Sequence, residues 1–303
     1  MGEPLFTPVA MRREPPEVSL DDTILLLGSC FTDSIGSRMA EGGLNVLVNP
    51  FGVLYNPLSI ALCLRHAIER RHLCARDLVQ CDGLWHSWLH HSRFSNADRD
   101  QCLALCNQSI DRAHEYLQSC SRIIITFGTA HVFYLTTDDQ GAAIEPPLLV
   151  ANCHKVDARR FERRRITVRD IVSEWQPLLQ TLQNLPRHPQ VLFTVSPIRH
   201  LADGLHGNQL SKSTLLLAID ELQHVATEPP CYFPSYEIVL DELRDYRFYQ
   251  RDMTHPSELA VDIIWQNFQQ SHMNADTIEN IRRNEREQRR SQHRPIITPT
   301  IGG

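Results

Sequence analysis

Apolar residues in this chain gather into short continuous runs, and most runs are followed by a stretch whose apolar positions lie three or four apart. The runs are "TILLL" (23–27), "LNVLV" (44–48), "RIIITFG" (122–128), "QVLFTVSP" (190–197) and the start of "CYFPSYEIVLDELRD". None alternates apolar with polar, as a strand with one wet face would. Helical patterns lie between them. After the first run, Ile35 and Met39 are four apart, Thr32 or Asp33 offers a cap, and Gly42–Gly43 supplies the stop. Further helices are read at "LSIALCLRHAIERR", at about 98–119, and at "ITVRDIVSEWQPLLQTLQNL", "SKSTLLLAIDELQHVA" and "PSELAVDIIWQNFQQ". Strands apolar on both sides, alternating with helices, predict an α/β protein: a parallel sheet covered on both faces.

Flanking segments read differently. Residues 1–20 hold several prolines and charges and are expected to form an extended arm before a domain at 21–271. Within that domain, 74–100 and 136–170 are irregular or inserted, and the first carries the cluster "GLWHSWLHHSRFS". From 272 a charged tail, "IRRNEREQRRSQHRP", extends the last helix and frays; its glutamates make it a solvated face rather than a basic patch. No internal repeat is present.

Composition narrows the function. The formal charge of −6 argues against nucleic acid and anionic membranes as partners. No run is long enough to cross a bilayer, and the first residues lack a signal-peptide core, so a cytoplasmic location is expected. The 9 cysteines are odd in number and contain no C-x-x-C pair, which predicts reduced thiols. No cofactor is expected, while 15 histidines keep acid–base and metal chemistry in view.

Ligands of a parallel sheet bind beyond the carboxyl ends of its strands. Four such ends carry unusual residues: Gly28-Ser29, Asn49-Pro50-Phe51-Gly52, Gly128-Thr129 and Ser196-Pro197. Ser29 stands between a strand and a helix, where unpaired N–H groups would stabilise an oxyanion beside a nucleophile. A base is available late in the chain, in "QRDMTHPSELA": Asp252 can orient one nitrogen of His255 and leave the other free for a serine proton. Cys30 competes with Ser29, but adjacent side chains in a tight turn diverge, and the expectation here is a buried, inert Cys30. His86, His90 and His91 could hold a metal if His86 and His90 shared a helix face. The favoured reading of that cluster is no metal and a substrate wall. Asn208 and Lys212 are expected to cap a helix.

Together, "LLLGSCFTDSIG", "NPFGVLYNP", "TFGTAHVFY", "VANCHK", "TVSPIRHLADG" and "DMTHPS" resemble the bacterial GSCFA family over roughly residues 20–270, with Thr32 in the last position of the naming motif. That family is similar to the SGNH or GDSL hydrolases, which implies a three-layer α/β/α sandwich with a flavodoxin-like sheet. It further implies a serine esterase acting on an O-acyl group, often an acetyl ester on a carbohydrate. Ser29 would be the nucleophile, His255 the base and acid, and Asp252 its partner. Gly52 would join the N–H of Ser29 in the oxyanion hole. The third block usually supplies an asparagine, but Ala130 stands there, so Asn152 is the preferred substitute donor, with Thr129 or His131 as alternatives. Trp85, His86, Trp88, His131, His154 and His200 are the candidate substrate wall. The partner expected is a small-molecule or carbohydrate ester, with homo-oligomers possible. The competing readings are a glycan- or acyl-binding or acyl-transferring relative, and a metal-dependent hydrolase.

Overall fold

Alternate residues of the first strand, β1 (Thr23–Gly28), enter different cores. Leu25 and Leu27 belong to one apolar cluster, Ile24 and Leu26 to another, and all four are almost wholly buried. This is why the run is continuously apolar: both faces of the strand are covered. Each such side chain removed from water contributes about 2 kcal/mol toward offsetting the entropy of ordering the chain. A computed structural model describes residues 7–11 and 17–292.

The central sheet joins β1, β2 (Asn45–Val48), β5 (Arg122–Phe127), β9 (Gln190–Val195) and β10 (Cys231–Phe233), all parallel. Its order is β10-β9-β5-β1-β2. Numbered along the chain, the sheet strands therefore run 2-1-3-4-5, the doubly wound order whose switch point lies between the first and third of them. Here that point falls between β1 and β5, paired in register from Ile24↔Arg122 to Gly28↔Thr126.

One face is covered by α2 (Pro57–Ile68), α3 (Arg99–Ser119), α4 (Val168–Gln183) and α5 (Gly204–Val225), whose buried residues share the cluster of Leu25 and Leu27. The other is covered by α1 (Cys30–Glu41), α7 (Glu258–His272) and Ile281 of α8 (Ala275–Gln292). The three-layer α/β/α sandwich expected from the sequence is present. Between β10 and α7 lies a short turn, α6 (Ser235–Glu237).

Two segments are more regular than their sequences imply. Residues 74–100 contain an antiparallel hairpin of β3 (Leu78–Cys81) and β4 (Leu84–Ser87), turning at Asp82-Gly83. Residues 136–170 contribute to a separate antiparallel sheet, β7-β6-β8, of β6 (His131–Thr137), β7 (Ala143–Val150) and β8 (Phe161–Arg165). Their pattern is hard to read because strands such as "FERRR" are mostly exposed. The cap of α1 also differs from expectation: it is Ser29, not Thr32 or Asp33.

The arm touches the domain at Val18, which bridges to Met273. The tail begins as an ordered helix, with Asn284 Nδ2 donating to Gly42 O at 2.8 Å. Part of the arm and the end of the tail, from 293, fall outside the described residues. Among the described residues, no helix is long and apolar enough to cross a membrane.

Candidate active site

The switch point is built on Gly28. Its φ of 151° is a conformation that side chains avoid, and its N–H donates to Asn49 Oδ1 at 2.8 Å. Asn49 is itself fully buried, with Nδ2 donating to Asp33 Oδ1 at 2.7 Å, so β1, β2 and α1 are locked together at one corner. The chain then enters α1 abruptly, and the two residues after Gly28 take different directions.

Ser29 turns inward. As the N-cap it accepts the Phe31 N–H at 3.3 Å, and its hydroxyl donates to Ser196 Oγ at 3.1 Å, beyond the end of β9. Only 1% of the residue is exposed. Cys30, the first residue of α1, is half-buried and lines a cleft of about 460 Å³. Cys30 is therefore half-buried rather than buried: capping draws the serine under the strand ends, and the next side chain packs against the core edge while lining the cleft. The Cys30 sulfur lies 3.7 Å from the Tyr55 hydroxyl. Its N–H, at the first helical position, has no hydrogen-bond partner among the described residues.

His255 faces the same cleft. Its Nδ1 is 2.5 Å from Asp252 Oδ2 and 3.0 Å from Thr254 Oγ1, which puts the ring proton on Nδ1 and leaves Nε2 as the basic nitrogen. Asp252 also accepts the backbone N–H groups of Thr254 and His255, at 2.9 and 3.0 Å. These amides, and then the imidazole, hold its carboxyl well below the usual carboxylate range. The loop is tied to the strand end by Arg199 N–H donating to Thr254 O at 3.1 Å. The D-x-x-H pairing read from the sequence is thus formed.

The expected oxyanion donors are placed less favourably. Gly52 spends its N–H on Asn49 O at 2.8 Å, and a Cβ there would sit 2.2 Å from the Cβ of His91. Asn152 accepts the His154 N–H at 3.0 Å and is not among the residues lining the cleft. Thr129 and His131 do line it, but Thr129 N–H goes to Tyr55 O at 2.8 Å, and its hydroxyl lies 3.1 Å from Ser211 Oγ. Sequence reasoning missed Asn56. Its Oδ1 caps α2 by accepting the Ser59 N–H at 2.8 Å, which leaves Nδ2 as the donor on the cleft side. The signal was the "NP" opening that helix, where one side chain can serve as cap and as donor.

Of the candidate wall, His131 and His200 reach the cleft. His131 Nδ1 lies 3.3 Å from Asp203 Oδ2, off the line of a hydrogen bond, and Asp203 also pairs with Arg163. Burial, and then the positive charge of Lys212, push His200 down to about 4, so this ring is uncharged at neutral pH, and its Nε2 is buried without a hydrogen-bond partner among the described residues. The others pack elsewhere. His86 and His154 stack with centroids 4.5 Å apart, Trp88 lies against Phe161, and Trp85 lies under Arg99.

The metal reading of His86, His90 and His91 rested on helical spacing, and His86 instead ends up on β4, so residues four apart do not share a face. Both nitrogens of His86 are engaged, by Ser95 Oγ and Cys81 O, and both of His90, by Ser87 and Ser109. Among the described residues no group of three or more His, Cys, Asp or Glu is arranged to hold a metal ion.

Beneath the cleft lies Lys212, 1% exposed, which caps nothing. Its Nζ donates to Gly128 O and Ser196 O, both at 2.6 Å, and so holds the ends of β5 and β9 together. Asn208 likewise does not cap; it accepts the His200 N–H at 3.0 Å. Burial pushes Lys212 down to about 7, from about 10.4 in an unfolded chain. Between those values the unfolded state binds more protons than the folded one, so this group's contribution to stability rises with pH. The melting temperature of the wild type relative to Lys212→Met is therefore expected to climb by several degrees, ~4 °C or more, from pH 7 to pH 10. A flat difference would mean that the buried amine keeps its proton throughout.

The chain is thus a doubly wound α/β protein with a histidine–carboxylate pair lining the cleft at its switch point. The GSCFA family model matches residues 23–268, and the chain belongs to that family. No curated protein matches it. Among solved structures it is similar to a carbohydrate esterase family 3 from Talaromyces cellulolyticus, with 10% identity, a TM-score of 0.37, and coverage of 86% of this chain and 99% of that one.

Proposed function

We propose that this GSCFA-family chain is an ester hydrolase of the SGNH type, which removes a small O-acyl group, such as acetyl on a carbohydrate, through a covalent acyl-enzyme. A side chain of the β1–α1 turn attacks the carbonyl carbon. His255 Nε2 takes the nucleophile's proton and returns it to the leaving alcohol, and Asp252 holds the ring in the required tautomer. Water, activated by the same nitrogen, then releases the acid. The oxyanion is held by the Cys30 N–H and the Asn56 amide, which replaces the donor lost with Ala130.

One observation carries this reading. An imidazole fixed at Nδ1 by a carboxylate shares a cleft with the helix start at the switch point. The wild-type chain is expected to release acid from an aryl acetate, and Asp252→Asn to lower kcat/KM about a hundredfold. A buried triad aspartate is worth about 10⁴, but Asp252 is exposed, and water can partly take over its role. Saturable binding of an acylated sugar with no turnover of any activated ester would replace hydrolysis by ligand binding.

A further inference from the structure

We infer that the nucleophile is the thiol of Cys30 and that Ser29, one residue before it, is a positioning residue; this rests on the hydrolase reading above. The placement of the two side chains argues it. An attacking atom must reach a substrate in the cleft and a base at the cleft wall. Cys30 lines the same 460 Å³ cleft as His255, Tyr55 and Asn56, and Ser29 does not. The Ser29 hydroxyl is committed to Ser196 Oγ and to the Phe31 N–H, and attack from it would first break the cap of α1. What Ser29 does is fix where Cys30 points: cap and Ser196 bond together pin the first turn of α1 to the end of β9.

Two neighbours suit a sulfur nucleophile. Burial pushes the Tyr55 phenol up, so it keeps its proton and can donate to the sulfur 3.7 Å away. Tyr55 is held in turn by the N–H groups of Gly128 and Thr129, both 2.8 Å from its carbonyl oxygen. His255, fixed by Asp252, supplies the base across the cleft, so the set is Cys–His–Asp rather than an isolated thiol.

The chemistry balances without a further reactant. The Cys30 proton passes to His255 Nε2, and sulfur attacks the ester carbon. The C–O bond breaks as the imidazolium protonates the departing alkoxide, leaving an acyl thioester and free alcohol. Water then gives its proton to His255 and its oxygen to the carbonyl carbon, the C–S bond breaks, and the proton returns to sulfur.

The test is to incubate the wild-type chain with an aryl acetate, quench in acid, and locate the acetyl group by fragmentation mass spectrometry. The acetyl is expected on Cys30 and to be released by neutral hydroxylamine, as thioesters are. Cys30→Ala is expected to lose the adduct and at least about a thousandfold in turnover with an unchanged melting temperature. Cys30→Ser should carry a hydroxylamine-resistant acetyl group. Ser29→Ala should melt lower yet still acylate at Cys30. Acetyl on Ser29 in the wild type, or undiminished turnover by Cys30→Ala, overturns the inference and leaves the hydrolase reading standing. A readout independent of any ester is alkylation by iodoacetamide. Cys30 should react fastest of the cysteines, and His255→Ala should slow it about tenfold or more. If that holds while no ester is turned over, the hydrolase reading falls and the activated thiol stands; if Cys30 is no faster than the rest, the inference falls.

Discussion

Replacing His255 with alanine is expected to lower kcat/KM for an activated ester by at least about a thousandfold while leaving the fold intact. The size follows from the double use of one nitrogen. In the proposed mechanism Nε2 removes the nucleophile's proton and then protonates the leaving group. His200 is pushed down to about 4 by burial, so it is a poor proton acceptor, and burial and then Arg163 lower His131 as well. The fold should survive because the His255 side chain is 40% exposed and its partners lie in its own loop. Steady-state kinetics on the variant, beside its thermal melt, checks both halves. Retention of a tenth or more of wild-type activity at an unchanged melting temperature would remove His255 from the mechanism. Recovery with added imidazole would confirm that the missing group is a base rather than a support.

The second large effect is structural. Gly28→Ala should destabilise the chain by about 4 kcal/mol or more, a large share of the ~5–15 kcal/mol that holds an ordinary domain folded. At φ 151° any side chain is strained, and the new Cβ would lie 2.4 Å from Thr126 O, 2.7 Å from Thr126 Cβ and 2.7 Å from Thr32 Oγ1. Two of those atoms belong to the neighbouring sheet strand and cannot withdraw without breaking its register with β1. Gly83→Ala is the control: φ is also positive, at 76°, but nothing lies within 4 Å of the added carbon, so the cost is backbone strain alone, about 1 kcal/mol. Urea unfolding of both variants measures the difference. Equal midpoints would show that the β1–β5 seam can open to admit a methyl group.

These two sites were not equally visible in the sequence. The D-x-x-H pairing is local, and Asp252 and His255 meet because a tight loop brings residues three apart together. The covered parallel sheet was legible for a comparable reason, since a strand buried on both faces must be apolar at every position. The hairpin at 78–87 and the sheet of β6, β7 and β8 were not. Their outward residues are polar or aromatic, and "FERRR" carries no periodicity that separates a strand from a loop. The weaker, metal-binding alternative for the histidine cluster rested on helical spacing, and spacing means proximity only once the element is known. On a helix, His86 and His90 would share a face; on a strand running into a turn, they part.

Sequence alone determined the layered α/β architecture and the pairing of Asp252 with His255. It pointed to Ser29 over Cys30 and to Asn152 in place of the donor lost with Ala130. Which of the two side chains faces the cleft was decided by tertiary structure, because the direction of a side chain at a helix start depends on what lies beyond the neighbouring strands. Ser196 and the Phe31 amide draw the serine inward. The thiol is left in the cleft with residues that are 25 or more positions away in the chain.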